Sequence, residues 1–388
     1  MDRLRILLIS PIPTHPLNAG NRARVVTLLE ALRELGHNVH FLHVQQESGD
    51  DDAMRLAWGD AYSAFPWERP RPLIPRIRRK LFGWISDDIR YSYDIDEWYD
   101  EALDQQLKDL HARNSYDVVI ASYVFFSRCL ECFGPETLKV IDTHDAFSNR
   151  HRHYLSQGEK PKWFSTSPRG ESKALNRADV VIAIQDKERE LFASMSRAQV
   201  ITVGHITPLS SPSESIRAGE ILFVASNNDI NAHGIRLFLA ESLPRIRQEC
   251  PHAELVLAGS IGNCVPDQDG VRKLGHVDDL NAVYASAEVV INPVEFNTGL
   301  SIKNLEALGL GKALVTLEAG ADGLAEGKGQ AFLSAESQSA MASAVISLLR
   351  DGEKVRQFER AALEFARTLN RQTVEALEQV LRPRKASS

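Results

Sequence analysis

The sequence has the composition of a soluble globular protein with a moderate excess of acidic residues. Its 388 residues are 43% hydrophobic and 25% charged, and the formal net charge at pH 7 is −7. This length exceeds what one ordinary core fills, so we predict two domains. The acidic balance excludes a global basic field, and we therefore expect no nucleic-acid partner.

The N-terminus predicts neither secretion nor insertion into a membrane. Its uninterrupted apolar run, Ile6 to Ile9, is too short for the core of a signal peptide. No stretch approaches the roughly 18 consecutive apolar residues of a membrane span. We expect a cytoplasmic protein, with peripheral attachment to the inner face of the membrane as an open alternative.

The first 44 residues have the pattern of a strand, loop, helix and strand that builds a parallel sheet. A buried strand is predicted over Arg5 to Ser10, a proline-rich loop up to Gly20, a helix from Asn21 to Gly36, and a second strand over residues 37–44. Gly20 and Asn21 are predicted to line the floor of a ligand cleft. An equally open interpretation is that the glycine serves only the turn.

Two segments follow that differ sharply in charge. Residues 47–60, with three consecutive aspartates, are predicted to be an exposed loop. Residues 75–85 interleave arginine and lysine with isoleucine, leucine, phenylalanine and tryptophan, a pattern that suits a helix on an anionic membrane surface. The alternative is a helix packed on its own domain with a solvated basic face.

Further strands are predicted at residues 117–122 and 139–142, and the second runs into His144. Because α/β folds place ligand chemistry at the carboxyl ends of their strands, His144 is a candidate contact to a sugar or a pyrophosphate. The histidines at 144, 151 and 153 lack metal spacing and a matching carboxylate, so no metal site is predicted. The segment 178–192 predicts another strand and helix, and residues 200–203 the last strand of this half.

A Ser- and Pro-rich segment from residue 205 to 220 predicts a linker, after which the strand and helix pattern restarts. Strands are predicted from Ile221, over residues 254–259 and over residues 287–293. Asn227 and Asn231 follow the first of these strands. Long amphipathic helices are predicted between residues 335 and 369, and the tail from residue 383 is expected to be disordered.

The stretch from Glu295 to Val315 carries the strongest functional signal. A buried strand leads into a Gly-containing turn and then a helix, which is how α/β proteins present backbone N–H groups to a phosphate. Lys303 would place a cation in the first helical turn, and Glu306 a carboxylate about one turn further on. Amides, a cation and a carboxylate together suit a sugar nucleotide, with its diphosphate and its ribose hydroxyls.

The sequence resembles the retaining glycosyltransferases of the GT-B fold, and family four in particular. The resemblance covers nearly the whole chain and is carried by ILLISPIPTHPLNAGNRAR, DVVIAS, ADVVIAIQDKERELF and, most specifically, NTGLSIKNLEALGLGKALVT. It implies an α/β architecture of two facing Rossmann-like domains with a cleft between them. The implied organisation is an acceptor-binding domain at 1–206, a linker at 207–219, a nucleotide-sugar-binding domain at 220–365, a helix at 366–382 crossing back to the first domain, and a tail at 383–388.

The resemblance also implies roles for individual residues. Glu306 would bind the ribose hydroxyls, the turn amides would bind the diphosphate, and His144 would reach the donor sugar from the first domain. The residues implied in catalysis are His144, Lys303 and Glu306. The residues implied in donor binding are Gly20, Asn21, Asn227, His276, Val277 (the last two beside the base), Thr298, Gly299, Leu300, Ser301, Lys303 and Glu306.

Two departures from the family pattern bear on the donor. Thr298 stands where the family carries the first glutamate of its signature, which leaves the sugar unassigned. The Arg and Lys found in many members after the first strand of the second domain are replaced by a region with Asn227 and Asn231. The diphosphate charge would then fall largely to Lys303, with Arg22 or Arg24 as helpers.

The resemblance implies transfer of a hexose-type sugar from a nucleotide-diphosphate sugar, UDP- or GDP-linked, to a glycan or lipid-linked saccharide. Such a reaction would belong to surface polysaccharide or glycoconjugate biosynthesis and would use neither a cofactor nor a metal. Two alternatives stay open: a GT-B sugar-nucleotide epimerase and a non-catalytic nucleotide-binding protein.

Overall fold

The computed structural model describes residues 3–17, 19–156, 158, 160–161, 163–210, 216–277, 279–296 and 300–382. The chain divides into two compact units. The first contains residues 1–204 and 373–388, and the second contains residues 205–372.

The first unit is built on a parallel sheet whose strands are buried on both faces. Ile6, Leu7, Leu8 and Ile9 are completely buried, which explains why this strand is an uninterrupted apolar run. The strand order is β3-β2-β1-β4-β5-β6-β7, and every neighbouring pair is parallel. The strands are Arg5–Ser10 (β1), Asn38–Val44 (β2), Tyr62–Phe65 (β3), Val118–Ser122 (β4), Leu138–Asp142 (β5), Val180–Ala183 (β6) and Gln199–Thr202 (β7).

Helices connect these strands and cover the sheet. They are Gly20–Glu34 (α1), Asp51–Trp58 (α2), Leu73–Phe82 (α3), Asp87–Tyr91 (α4), Leu103–Asn114 (α5), Arg150–Ser156 (α6), Pro168–Leu175 (α7) and Asp186–Met195 (α8), with 3-10 segments at Gly59–Ala61 and Val124–Cys132.

The prediction of an exposed loop over residues 47–60 is wrong, because α2 occupies most of this segment. The Asp50 side chain accepts a hydrogen bond from the Ala53 amide at 2.9 Å and caps the helix. Met54 and Trp58, four residues apart, are both buried. The aspartates therefore begin a helix whose apolar side packs inward, which the run of charge alone concealed.

The second unit repeats the architecture with a parallel sheet in the order β10-β9-β8-β11-β12-β13. Alternate residues of the central strand β8 contribute to two apolar clusters, Ile221 and Phe223 to one and Leu222 to the other. Both faces of this sheet are therefore covered. The strands are Glu220–Val224 (β8), Glu254–Ala258 (β9), Val271–Gly275 (β10), Val289–Asn292 (β11), Leu314–Leu317 (β12) and Leu333–Ala335 (β13).

The helices of the second unit follow the predicted order with shifted bounds. They are Asp229–Leu237 (α9), Leu243–Glu249 (α10), Leu280–Ser286 (α11), Ile302–Gly309 (α12), Gln338–Leu349 (α13) and Gly352–Val380 (α14), with a π turn at Phe238–Ser242 and 3-10 segments at Ser260–Cys264, Glu318–Ala321 and Ala325–Gly327. Helix α14 is continuous, so residue 366, where a separate final helix was predicted to begin, lies within it. Its residues from Thr373 onward belong to the first unit.

The α/β class predicted from the strand and helix pattern is confirmed by the two parallel sheets and their covering helices. Within the described residues, no helix combines the length and apolar character needed to cross a membrane.

Candidate functional site

The predicted donor residues of the second unit follow the carboxyl ends of neighbouring parallel strands. Asn227 comes after β8, His276 directly after β10, and Ser301 and Lys303 after β11. Because the strands are parallel, these segments share one edge of the sheet, the edge where open α/β folds bind ligands.

Lys303 lies in the first turn of α12 and is fixed by two contacts. Its Nζ donates a hydrogen bond to Asn231 Oδ1 at 2.6 Å, and the same ammonium lies 5.3 Å from the centre of the Phe223 ring. Burial lowers the pKa of Lys303 from its ordinary value to about 8, against the opposing influence of Glu306. The site therefore holds an ammonium that an anion would stabilise.

Glu306 follows one turn later on the same face of α12. Burial raises the pKa of its carboxyl to about 7, and the nearby Lys303 cation works against this rise. Burial raises the pKa of the Tyr284 phenol, and the nearby Glu306 carboxylate adds to this rise. The Tyr284 hydroxyl is buried and has no hydrogen-bond partner among the described residues. Glu306, which is half-buried, could accept hydrogen bonds from ligand hydroxyls.

A buried amide network fixes α12 against the sheet. Asn292, the last residue of β11, donates to Asn304 Oδ1 at 2.9 Å and to Ser301 Oγ at 3.2 Å. Asn304 in turn donates to Gly320 O at 2.7 Å and to Thr316 Oγ1 at 3.2 Å. The start of the helix, where the first backbone amides have no partner inside the helix, is therefore rigidly positioned.

The remaining predicted residues of this unit occupy more peripheral positions. Asn227 is exposed, and its amide donates to Ser260 Oγ at 2.8 Å. His276 is exposed, whereas Val277 and Leu300 are half-buried against the second apolar cluster of the unit. Thr298 and Gly299 lie outside the described residues.

In the first unit, His144 is presented from the carboxyl end of β5 in an unusual backbone conformation. Its φ angle is 61°, and that of Tyr123, which follows β4, is 68°. A positive φ is uncommon outside glycine and often accompanies function. The two rings stack with centroids 4.1 Å apart and an interplanar angle of 11°. The side chain of His144 is only 5% exposed.

A buried ion pair lies behind this histidine. Asp142 Oδ2 is 3.2 Å from His144 Nε2, and Asp142 also receives hydrogen bonds from Arg24 at 2.7 to 3.2 Å. Although burial would by itself raise it, the pKa of Asp142 lies below its ordinary value because Arg24 and His144 stabilise the carboxylate. Asp142 therefore anchors the ring of His144.

The suggestion that Arg22 or Arg24 helps to hold a diphosphate is wrong. Arg24 donates hydrogen bonds to Asp142 and to the backbone carbonyls of Val203 and Gly204. Arg22 is paired with Glu47 and donates to Pro16 O and Ser48 O. Both guanidinium groups are buried, and each already has acceptors inside the first unit.

Gly20 and Asn21 begin α1, next to the Arg22 and Arg24 contacts. Gly20 is the first residue of the helix, and no positive φ angle is found there. The Asn21 side chain lies close enough to Tyr123 to influence the pKa of its hydroxyl, and it is therefore near the ring on which His144 stacks. The structure thus brings Asn21 and His144 together through Tyr123.

Glu188, in the first turn of α8, was not predicted as a site residue. It is 5% exposed, and its Oε2 has no hydrogen-bond partner among the described residues. Burial, together with the charge of Asp145, raises the pKa of Glu188 to about 8. Its place just after the carboxyl end of β6, in the segment QDKERELF, was the available signal.

Asn231, Tyr284 and Asn304 were likewise absent from the predicted site. Asn231 and Asn304 act through contacts with Lys303 and with the strand ends, and Tyr284 approaches Glu306 from another helix. Each of these contacts joins residues at least 12 positions apart, so the sequence did not show which side chains meet.

Comparisons with known proteins identify a related family and related folds. Residues 218–351 match the family model described as Glycosyl transferases group 1. No curated protein sequence gives a significant match.

Solved structures match over almost the whole chain. Sucrose-phosphate synthase from Thermosynechococcus elongatus has a TM-score of 0.70 and 17% identity, covering 99% of this chain and 100% of its own. The pneumococcal O-GlcNAc transferase GtfA, solved with UDP and GlcNAc, has a TM-score of 0.68 and 12% identity, covering 97% and 98%. Anabaena HepE, solved with UDP and glucose, has a TM-score of 0.64 and 14% identity, covering 97% and 100%.

Proposed function

We propose that this chain is a retaining glycosyltransferase, which is supported by its GT-B fold and by the match of residues 218–351 to the model of group 1 glycosyltransferases. It transfers a hexose-type sugar from a nucleotide-diphosphate sugar to a glycan or a lipid-linked saccharide. We place this reaction in surface polysaccharide or glycoconjugate biosynthesis.

The observation that carries the proposal is the pair formed by Lys303 and Glu306 on α12. Lys303 is a desolvated cation held by Asn231 at the start of a helix, where the first backbone amides would also face a bound anion. Glu306 is a half-buried carboxylate one turn away. The cation and the amides would bind the diphosphate, and the carboxylate would accept hydrogen bonds from the ribose.

The same groups account for catalysis. Negative charge develops on the leaving phosphate as the sugar departs, and a fixed cation with oriented amides stabilises that charge. The leaving phosphate would help to take the proton from the acceptor hydroxyl, so a separate strong base is not required. His144 would contact the donor sugar.

A metal ion is unnecessary in this proposal because Lys303 supplies the positive charge that a bound cation would supply. Transfer that is undiminished in EDTA would support this part, and transfer restored only by added divalent cations would overturn it.

The donor would be a UDP- or GDP-sugar. HepE and GtfA were solved with UDP, which supports a UDP-sugar as the donor. A thermal-shift panel of UDP, GDP, ADP and dTDP with their sugars would identify the nucleotide. Transfer with the selected donor would then be measured with glycan and lipid-linked acceptors, and NMR of the product would show whether the anomeric configuration is retained.

Substitution at the pair tests the site. Lys303→Ala and Glu306→Ala should each lower transfer about 100-fold, the usual cost of removing a group that stabilises charge in the transition state. Lys108→Ala and Glu364→Ala, at exposed positions on other helices, are the matched controls and should keep full activity. Full transfer rates in both site variants would refute the assignment.

The same assays separate the two alternatives. Conversion of a nucleotide sugar into its epimer without any acceptor would indicate an epimerase. A thermal shift with no turnover across the panel would indicate a non-catalytic binding protein.

A further inference from the structure

Helix α3 lies on the first unit with none of its residues buried. The sequence left open whether this helix packs on its own domain or meets a membrane, and the absence of any buried side chain argues against the packed alternative. Its large apolar side chains and those of the following turn are instead exposed: Leu73 71%, Ile74 82%, Ile77 54%, Leu81 55%, Phe82 48%, Trp84 82% and Ile85 59%.

One side chain of the helix is fixed to the rest of the unit. Arg79 donates to Glu97 at 2.8 Å and lies 4.7 Å from the centre of the Tyr93 ring. Ile77 is two residues earlier, about 200° around a helix with 3.6 residues per turn. The face carrying Ile77, together with Leu73 and Leu81 at four-residue spacing, is therefore directed away from the unit.

Cations border this apolar face. Arg76 and Lys80 lie along one side of it and Arg78 along the other, and Arg71 precedes the helix. All four side chains are exposed, and the described residues include no ion pair that uses them. Their positive charge is confined to this part of the surface, since the chain as a whole has a net charge of −7.

Trp84 adds a ring whose polar group is already satisfied. Its indole Nε1 donates to Leu81 O at 2.8 Å, although the ring is among the most exposed of the apolar side chains. The ring could therefore enter an apolar phase without leaving an unpaired donor, which would otherwise cost free energy.

We propose that residues 71–85 are a docking surface for an anionic lipid bilayer. The apolar face would enter the boundary between headgroups and acyl chains, and the four unpaired cations would contact the acidic headgroups. A bilayer suits this surface better than a protein partner does, because a projecting helix would require a complementary groove, whereas lipid deforms around it. The proposal goes beyond transferase activity and depends on the surface alone.

Sedimentation with lipid vesicles tests the proposal without any activity measurement. The full chain should sediment with phosphatidylcholine vesicles containing about 30 mol% phosphatidylglycerol, and much less with phosphatidylcholine alone. Added salt should weaken the binding, since it screens the electrostatic part. Equal sedimentation with both vesicle types, or with neither, would overturn the proposal.

Variants of exposed residues assign the binding to this helix. The double substitution Ile77→Glu and Leu81→Glu should lower binding at least about ten-fold, since it puts charge into the apolar face. Arg76→Ser with Lys80→Ser should lower it about five-fold for each cation removed. The control is Leu56→Glu, which makes the same change at a leucine that is 90% exposed on α2 and should bind as wild type.

Two further measurements keep the result interpretable. Thermal unfolding of each variant should match that of the wild type, because none of the substituted side chains is buried. If the wild type instead forms concentration-dependent dimers that Leu81→Glu abolishes, and does not bind vesicles, the face is a contact between copies and the proposal fails.

Discussion

The charge state of Lys303 predicts that affinity for a nucleotide sugar falls as the pH rises above about 8. In the free protein its pKa is about 8, because burial disfavours the ammonium. A bound diphosphate would stabilise the ammonium and move the pKa back towards its ordinary value. Binding above about pH 8 must therefore include the uptake of a proton, so the part of the affinity that Lys303 supplies is present below that pH and is lost above it.

The size of the effect follows from the same pKa. Lys303 is about nine-tenths protonated at about pH 7 and about one-tenth protonated at about pH 9, so Lys303 by itself raises Kd about ten-fold between them, or about 1.4 kcal/mol. Glu306 is about half ionised at about pH 7, which reduces the net rise in Kd to about five-fold. At acidic pH the affinity is limited by protonation of Glu306. Its pKa of about 7 leaves a smaller ionised fraction at lower pH, so affinity should fall there as well. The optimum lies between these two values.

Isothermal titration calorimetry with the donor from the thermal-shift panel measures this dependence. The diphosphate of a nucleotide sugar does not exchange protons near neutrality, and comparison with Lys303→Met separates the titration of Lys303 from that of the base. Lys303→Met should weaken binding and remove the alkaline limb, whereas Glu306→Gln should remove only the acidic limb. A wild-type Kd that is equal at about pH 7 and about pH 9, or an alkaline limb that survives in Lys303→Met, would refute the reasoning.

Two further predictions concern the first unit. Asp142→Ala should lower the free energy of unfolding by about 3 to 5 kcal/mol, because it leaves the buried Arg24 guanidinium without its carboxylate. Urea unfolding measures this change. A loss below about 1 kcal/mol would contradict the inferred anchoring role. Glu188 has a folded-state pKa of about 8, above its unfolded value, so its contribution to stability is present at low pH and is lost as the pH rises through about 8. Relative to wild type, Glu188→Gln should therefore gain a few kcal/mol of stability between about pH 5 and about pH 8, and parallel pH profiles of the two proteins would show that the carboxyl is not protonated in the folded state.

Much of the fold could be read from the sequence because buried parallel strands are short apolar runs. The predicted strand at Arg5–Ser10 has the observed bounds, and the strands ending at Ser122 and Asp142 differ by only one residue at their starts. Lys303 and Glu306 could be paired from sequence alone, since residues three apart share a helix face. Helix α2 was missed because the three consecutive aspartates were taken as the sign of an exposed loop. The helical spacing of its two buried side chains was a weaker signal.

What the sequence determined by itself was the two repeats of strands and helices and the position of Lys303 and Glu306 on one helix face, because both depend on neighbours a few residues apart. The tertiary structure decided which charges are free. Arg24 is paired with Asp142, 118 residues away, whereas Arg76, Arg78 and Lys80 of α3 have no ion pair within the described part of the chain. Such ion pairs join distant segments and leave no local pattern in the sequence. The folded structure was therefore needed to distinguish charged residues in buried ion pairs from exposed ones.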